Sequence, residues 1–307
     1  MVCKYILNRL VISVLTIWLI VSITFILMHA IPGGPFTRER ALPASIKKNI
    51  EERYHLDDPL WKQYTDYLRN LSKGDLGPSY RYPGLTVNKI IADSLPVSVQ
   101  LGAASLFIMF FIGVPAGIIS AVKQNKWQDH TVMFFVTLGT AIPNFVLAIL
   151  LIYVIGVKLN WLPASRWISW KSVIMPAIAL SGYYTAYIAR LTRAGMIEVL
   201  QQDYIRTARA KGLPEHIVIC KHALKNALIP VITYLGPITA GILTGSFVVE
   251  KIFAVPGLGH YFVTSIGNRD YTTILSLTVL YAVFLVTINL IVDIMYCFVD
   301  PRIRLGK

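Results

Sequence analysis

The side chains of this sequence that could do chemistry do not combine into a hydrolytic or redox centre. Gly306-Lys307 is the only Gly-Lys pair, so the Gly-x4-Gly-Lys-Ser/Thr loop whose backbone amides cradle phosphate is absent. His-Glu-x-x-His and Gly-x-Ser-x-Gly do not occur either. The cysteines Cys3, Cys220 and Cys297 are odd in number and lack CxxC spacing, which argues against a disulfide framework and a zinc site. What remains is polar without being charged. Tyr183, Tyr184 and Tyr187 cluster in one apolar stretch, Asn144 follows Pro143 in another, and Thr239, Thr244 and Ser246 share a third. Such groups can line a pathway, offering hydrogen bonds to a passing polar solute. Hydrogen bonding between helices is the equally ordinary use of them. Asp293 is an acid inside an apolar run, a functional candidate by position. Its place near a membrane interface predicts an ion pair with Arg190 or Arg193.

The elements that must position these groups are membrane spans. Six stretches carry no Asp, Glu, Lys or Arg: 10–37, 94–122, 130–157, 172–189, 226–249 and 271–292. A helix needs roughly 20 residues to cross the hydrocarbon core, and each stretch is long enough for one. The first is expected to bend out at Pro32-Gly33-Gly34, and the others suit single helices. With backbone hydrogen bonds to be satisfied in lipid, helices are the default, so the fold class is all-α, a polytopic protein of six transmembrane helices. The first apolar run exceeds the 7–15 residues typical of a cleaved signal, so it is expected to be retained.

Composition agrees. Of 307 residues 55% are hydrophobic and 15% charged, and the net charge is +13. The positive charge lies in loops beside spans, which disfavours nucleic acid as a partner and points to the positive-inside rule. The segments 1–9, 123–129, 190–225 and 300–307 hold fourteen Lys and Arg, whereas 158–171 and 250–270 hold five. Both termini are therefore expected in the cytoplasm. The charge-free stretch 252–268 contains Pro256, Gly257, Gly259 and His260 and reads as an outer loop with a short interfacial or re-entrant helix. Its Pro256-Gly257-Leu258-Gly259 turn could serve an outer gate, a partner contact or only a change of direction. The connector 38–93 is mixed in charge, with Trp61, Tyr64 and Tyr67 beside Asp57, Asp58 and Asp66, and reads as a small helical elaboration outside. The expected organisation is 1–30 for the N-terminus and first span, 31–93 for the external connector, and 94–307 for a core of five spans.

The longest loop between core spans, 190–225, carries the most specific signal. Asp203-Tyr-Ile-Arg-Thr-Ala-Arg-Ala-Lys-Gly-Leu-Pro-Glu-His216 predicts two short helices joined at Gly212, where a left-handed residue ends the first. Pro214 suits the opening of the second, and Glu215 lies near that helix's positive end. Such an elbow, apolar within and basic outside, is shaped to dock in a groove on another protein. The docking surface is assigned to Arg206, Thr207, Ala208, Arg209, Lys211, Gly212, Leu213, Pro214 and Glu215. Gly212 as a plain helix cap, and Arg209 and Lys211 as solvated charges, are the alternatives.

This segment resembles the "EAA–Gly" loop of ABC-importer permeases. Gly212 and Ala208 match the glycine and second alanine of that pattern, and Leu224 its leucine. Arg206, Thr207, His222 and Lys225 depart from its Glu, Ala, Ile and Pro. One subfamily fits better. The elbow, His222-Ala-Leu-Lys-Asn-Ala-Leu-Ile-Pro230 and Asp300-Pro-Arg-Ile-Arg304 are similar to the oligopeptide/dipeptide permease subunits of the B type. So are Ile31-Pro-Gly-Gly-Pro35, Gly241-Ile-Leu-Thr-Gly-Ser-Phe247 and Asn268-Arg-Asp-Tyr271. The resemblance implies a type I ABC importer permease fold in a bacterial cytoplasmic (inner) membrane. It implies as partners a second, non-identical permease, two ATPase subunits and an extracytoplasmic substrate-binding protein. ATP and Mg would be bound by the ATPase subunits, with no cofactor or metal in this chain, which is then not itself an enzyme. A secondary transporter or channel acting without ATPases is the competing reading. It would favour several ionisable residues in mid-span and no docking elbow.

Overall fold

In the computed structural model the chain is helical, and the description covers residues 2–30, 57–82, 84–244 and 247–299, with side chains at 9–30, 57–82, 84–243 and 247–291. Ser246, the side chains of Thr244 and Asp293, and the 31–35 and 300–304 motifs lie outside it. Helix α1 is Val2–Ala30 and α2 is Leu60–Ser72. Helix α3 is Val87–Val122, α4 is Trp127–Ala141, and α5 is Asn144–Leu151, prolonged by a π-helical stretch Ile152–Lys158. Helix α6 is Ile174–Leu200 and α7 is Asp203–Ala210. Helix α8 starts at Glu215–Ile217 and runs through π-type turns into Leu224–Ala227. Helices α9 (Ile229–Thr244), α10 (Phe247–Ile252), α11 (Leu258–Asn268) and α12 (Tyr271–Val299) follow among the described residues.

Among the described residues, five helical stretches are long and apolar enough to cross a membrane: Arg9–Ala30, Val87–Val122, Trp170–Leu200, Ile229–Ile252 and Tyr271–Ile291. The third expected span, 130–157, is not a single helix. Its two halves, α4 and α5, bend by 105°. The cause is Pro143. The residue before a proline is pushed out of the helical region, and Ile142 is extended at φ −87°, ψ 119°. Pro176 and Pro230 sit in the opening turns of α6 and α9, where a missing N–H costs nothing, and Pro237 is carried inside α9.

The chain packs as two compact units. One comprises the described residues of Met1–Val97 and Pro256–Val286, the other those of Ser98–Val255 and Thr287–Arg304. In the first, Tyr64 and Tyr67 of α2 pack against α1, whereas Trp61 is exposed. Tyr64 Oη lies 2.6 Å from Ser22 Oγ, and the Phe25 ring is 5.3 Å from Tyr64 and 6.5 Å from Tyr67. The same unit contains a cavity of about 460 Å³ lined by Phe25, His29, Tyr67, Tyr271 and others. The 252–268 stretch does contain a short helix, α11, entered through Gly257 with Leu258 buried.

In the second unit α6 is the central helix. Glycines let its neighbours approach it closely. A Cβ on Gly117 of α3 would stand 2.5 Å from Ala189 O and 2.6 Å from Thr192 Cβ. On Gly241 of α9 it would stand 2.7 Å from Tyr184 Oη. Small residues at these crossings let van der Waals contact replace a hydrophobic drive that lipid does not provide.

Candidate functional site

The elbow is built as its residues dictate. Helix α7 ends in a Schellman motif. Gly212, at φ +74°, donates its N–H to Arg209 O at 2.9 Å, and Leu213 donates to Ala208 O at 3.4 Å. Pro214, at φ −61° and ψ 142°, then opens α8 and accepts from Ile217 N at 2.9 Å. Arg209 spans the turn with a two-pronged bond to Glu215, Nη2 to Oε1 at 2.6 Å and Nε to Oε2 at 3.2 Å. That pairing holds the Glu215 carboxyl below, and the Arg209 guanidinium above, its ordinary range. The two side chains are 42% and 52% exposed, so water screens the pair and it sets geometry more than stability. Arg209 thus has a partner within the chain, beyond the options the sequence suggested.

One face of the elbow is buried. Ile205, Val218, Ala223 and Ala227 are fully enclosed, Ala208 is 6% exposed, and Leu213 packs beside them. They sit on Ala121, Ile118 and Val122 of α3 and on Met196 and Ile197 of α6. The Asn226 amide adds a bond to Tyr204 Oη at 2.8 Å. Of the residues assigned to docking, Ala208 and Leu213 therefore seat the elbow, whereas Arg206, Thr207, Arg209, Lys211, Gly212, Pro214 and Glu215 are on its outside. Lys221 and Lys225 are exposed as well, so the free face is basic.

The pH behaviour of the turn follows from Glu215. A carboxyl depressed in the folded state stabilises above its unfolded pKa and loses that contribution as pH falls through the folded value. The elbow turn is therefore expected to keep its pairing throughout the neutral range and to loosen only below the usual glutamate range of about 4. Hydrogen exchange at 209–216 checks this. In Glu215→Gln, exchange there should be faster at neutral pH and lose its acid dependence.

A further charged residue, outside the candidates named from the sequence, lies at the base. Asp129, in the first turn of α4, is 2% exposed. It receives Arg193 Nε and Nη2 of α6, each at 2.8 Å, together with Ser120 Oγ of α3 and Asn125 N at 3.0 Å. The expected ion pair of Asp293 with Arg190 or Arg193 lies outside the described residues, as the Asp293 side chain does. Arg193 is held by Asp129, and Arg190 donates to Thr140 Oγ1 at 3.4 Å. The signal was present. Asp129 bounds the charge-free stretch 130–157 and opens a helix.

Of the pathway candidates, the tyrosines come together. Tyr183 lies 5.5 Å from Tyr184 and 6.4 Å from Tyr187, and Tyr187 is 5.7 Å from Tyr234 of α9. Tyr234 was missed, although it too is a tyrosine in an apolar stretch. Asn144 opens α5 at the Pro143 bend, and Thr239 is half-buried on α9.

In the first unit, Asp270 closes the start of α12. It is fully buried and accepts from Ser79 Oγ at 2.5 Å, Thr273 Oγ1 at 2.8 Å, Thr272 Oγ1 at 3.0 Å, Tyr80 N at 3.1 Å and Thr273 N at 3.3 Å. Among the described residues no cluster of His, Cys, Asp and Glu could hold a metal.

Comparison with known proteins supports the resemblance. Residues 113–305 match the family described as "Binding-protein-dependent transport system inner membrane component", and residues 2–102 match its N-terminal counterpart. The chain is 49% identical over 303 residues to the oligopeptide transport system permease protein OppB of Salmonella typhimurium, covering 98% of this chain and 99% of that one. It is 48% identical over 304 residues to the dipeptide transport system permease protein DppB of Bacillus subtilis, covering 99% of each. Among solved structures, the inward-facing MetNI methionine ABC transporter matches with a TM-score of 0.59 at 19% identity, over 69% of this chain and 96% of that chain. That likeness speaks to the fold alone, and the fold is that of type I ABC importer permeases. With spans, elbow and full-length similarity in agreement, this chain is a multi-pass inner membrane protein and belongs to the binding-protein-dependent transport system inner membrane component family.

Proposed function

We propose that this chain forms half of the translocation pathway of an ATP-driven importer of oligopeptides or dipeptides. An extracytoplasmic binding protein delivers the peptide. A second, non-identical permease supplies the other half, and two ATPase subunits hold ATP and Mg. The observation that carries this reading is the elbow at 203–227, apolar where it meets α3 and α6 and basic where it is free. Its exposed residues, Arg206, Thr207, Arg209, Lys211 and Glu215, sit in the cytoplasm, with both termini on that side, and enter a groove on one ATPase subunit. Closure of the ATPases on ATP moves the elbow as a rigid body and switches the pathway between its two facings. ATP binding shifts that balance because the closed ATPase pair engages the two states differently.

Substrate passes beside uncharged polar groups, for which Tyr183, Tyr184, Tyr187, Tyr234, Asn144, Thr239, Thr244 and Ser246 are the candidates. The relatives' names support peptides as the cargo class. The full-length family match also favours this reading over a transporter working without ATPases. The test is uptake of labelled di- to pentapeptides into vesicles carrying the assembled complex. Uptake should require both ATP and binding protein. Uptake driven by a proton gradient through this chain alone would overturn the proposal.

A further inference from the structure

We infer that Asp129, acting through Arg193, is the positioning residue that passes the movement of the elbow to α4 and its bend, and so sets how many peptides cross per ATP. The inference rests on the ATPase-docking reading of the elbow and adds a residue to it. Elbow force enters the span ends at two places. On α3 the elbow packs against Ile118, Ala121 and Val122, and on α6 against Met196 and Ile197. The clamp begins next to each of them, with Ser120 beside Ala121 and Arg193 one turn from Met196 and Ile197. Both converge on Asp129, which belongs to neither helix. Among the described residues the elbow core contains no member of α4. The carboxylate is therefore the charged, two-pronged link between the elbow's seat and α4, beside the single 3.4 Å bond from Arg190 of α6 to Thr140 of α4.

The chemistry of that link suits transmission more than cohesion. A buried ion pair adds little stability over well-packed apolar side chains, because desolvation offsets much of the attraction. A two-pronged arginine–carboxylate bond does fix relative orientation, since both N–H···O contacts must turn together. Asp129 accepts from α3, α6 and the 123–126 turn at once, so α4 cannot rotate against α3 and α6 without breaking it. At its other end α4 meets the 105° bend at Pro143 and the start of α5 at Asn144. A tilt imposed at Asp129 is delivered there, at a candidate pathway residue. Apolar packing between α4 and α6, through Val136, Ala186 and Ala189, keeps the helices together but has no comparable directional bond.

The experiment uses the complete importer in proteoliposomes, with ATP hydrolysis and uptake of a mixture of labelled di- to pentapeptides measured on the same sample. Wild-type complex must first show ATP-dependent uptake. If it does not, the docking reading fails before the clamp is examined. In Asp129→Asn with Arg193→Gln, which removes both charges together, the assembled amount and the ATPase rate are expected to stay near wild type. Peptide imported per ATP is expected to fall about fivefold or more, the scale of a typical coupling between sites. Arg193→Lys keeps the charge and loses the fork, and should fall in the same direction. Where the double variant does not assemble, Arg193→Lys decides the matter. A wild-type ratio of peptide to ATP in the assembled variant, or a deficit that vanishes once uptake is normalised to assembled complex, would overturn the inference.

Discussion

Gly212→Pro is expected to abolish assembly with the ATPase subunits and, with it, ATP-driven uptake. Gly212 stands at φ +74°, whereas proline is locked near −65°, so the turn cannot form around it. Proline also lacks the N–H that Gly212 donates to Arg209 O at 2.9 Å. The chain would leave α7 in another direction, pulling Leu213 from the elbow core and separating Arg209 from Glu215. Gly212→Ala is the graded companion. A Cβ there meets nothing within 4 Å, so only the left-handed backbone is penalised, by about 1–2 kcal/mol. Co-purification on a tagged ATPase should read wild type, reduced and absent for Gly, Ala and Pro. Equal recovery of all three would remove the elbow from the ATPase contact.

Asp270→Ala should be the most damaging single change in the first unit. Its carboxylate serves backbone N–H groups of Tyr80 and Thr273 and hydroxyls of Ser79, Thr272 and Thr273. It fixes the 76–82 segment to the start of α12, where Thr272 Oγ1 also reaches Pro78 O at 2.7 Å. Alanine leaves several of these donors buried without a partner, and each costs roughly 1–3 kcal/mol. A total loss on the order of 3 kcal/mol or more would lower the melting temperature of the purified chain by several degrees. Proteolysis within 75–82 should accelerate along with it. Asp270→Asn, which keeps an acceptor, should fall between. Unchanged melting and protection in Asp270→Ala would show that the network does not hold this segment.

Much of this architecture is legible in the sequence because lipid leaves few choices. Charge-free length marks the spans, and Gly212-Leu213-Pro214 spells out a helix stop followed by a helix start. The elbow's buried stripe of Ile205, Ala208 and Val218 is also visible once the turn is placed. What the sequence hides is long-range. Asp129 and Arg193 are 64 residues apart, and nothing local distinguishes that pairing from one with Asp293. Pro143 was recognisable as a possible kink. Its 105° size goes with a close approach of α5 to α6 that no local pattern spells out, where a Cβ on Gly182 would stand 2.9 Å from Leu147 Cδ2. Asp270 sits in Asn268-Arg-Asp-Tyr271, a motif noticed for its resemblance. Its partners at 79–81 lie about 190 residues away, so its role as an anchor could not be read there.

In the proposed importer the elbow is the handle an ATPase grips from the cytoplasm. The most direct measurement is a site-directed cross-link. Thr207→Cys, on the exposed side of α7 in a chain whose Cys3, Cys220 and Cys297 are replaced by serine, is treated with a short bifunctional maleimide in the assembled complex. A cross-linked product with an ATPase subunit is expected, and no labelling by an impermeant reagent applied from the binding-protein side. A residue 207 that reacts from that side, or that joins to no ATPase in a complex active in ATP-driven uptake, would contradict that role.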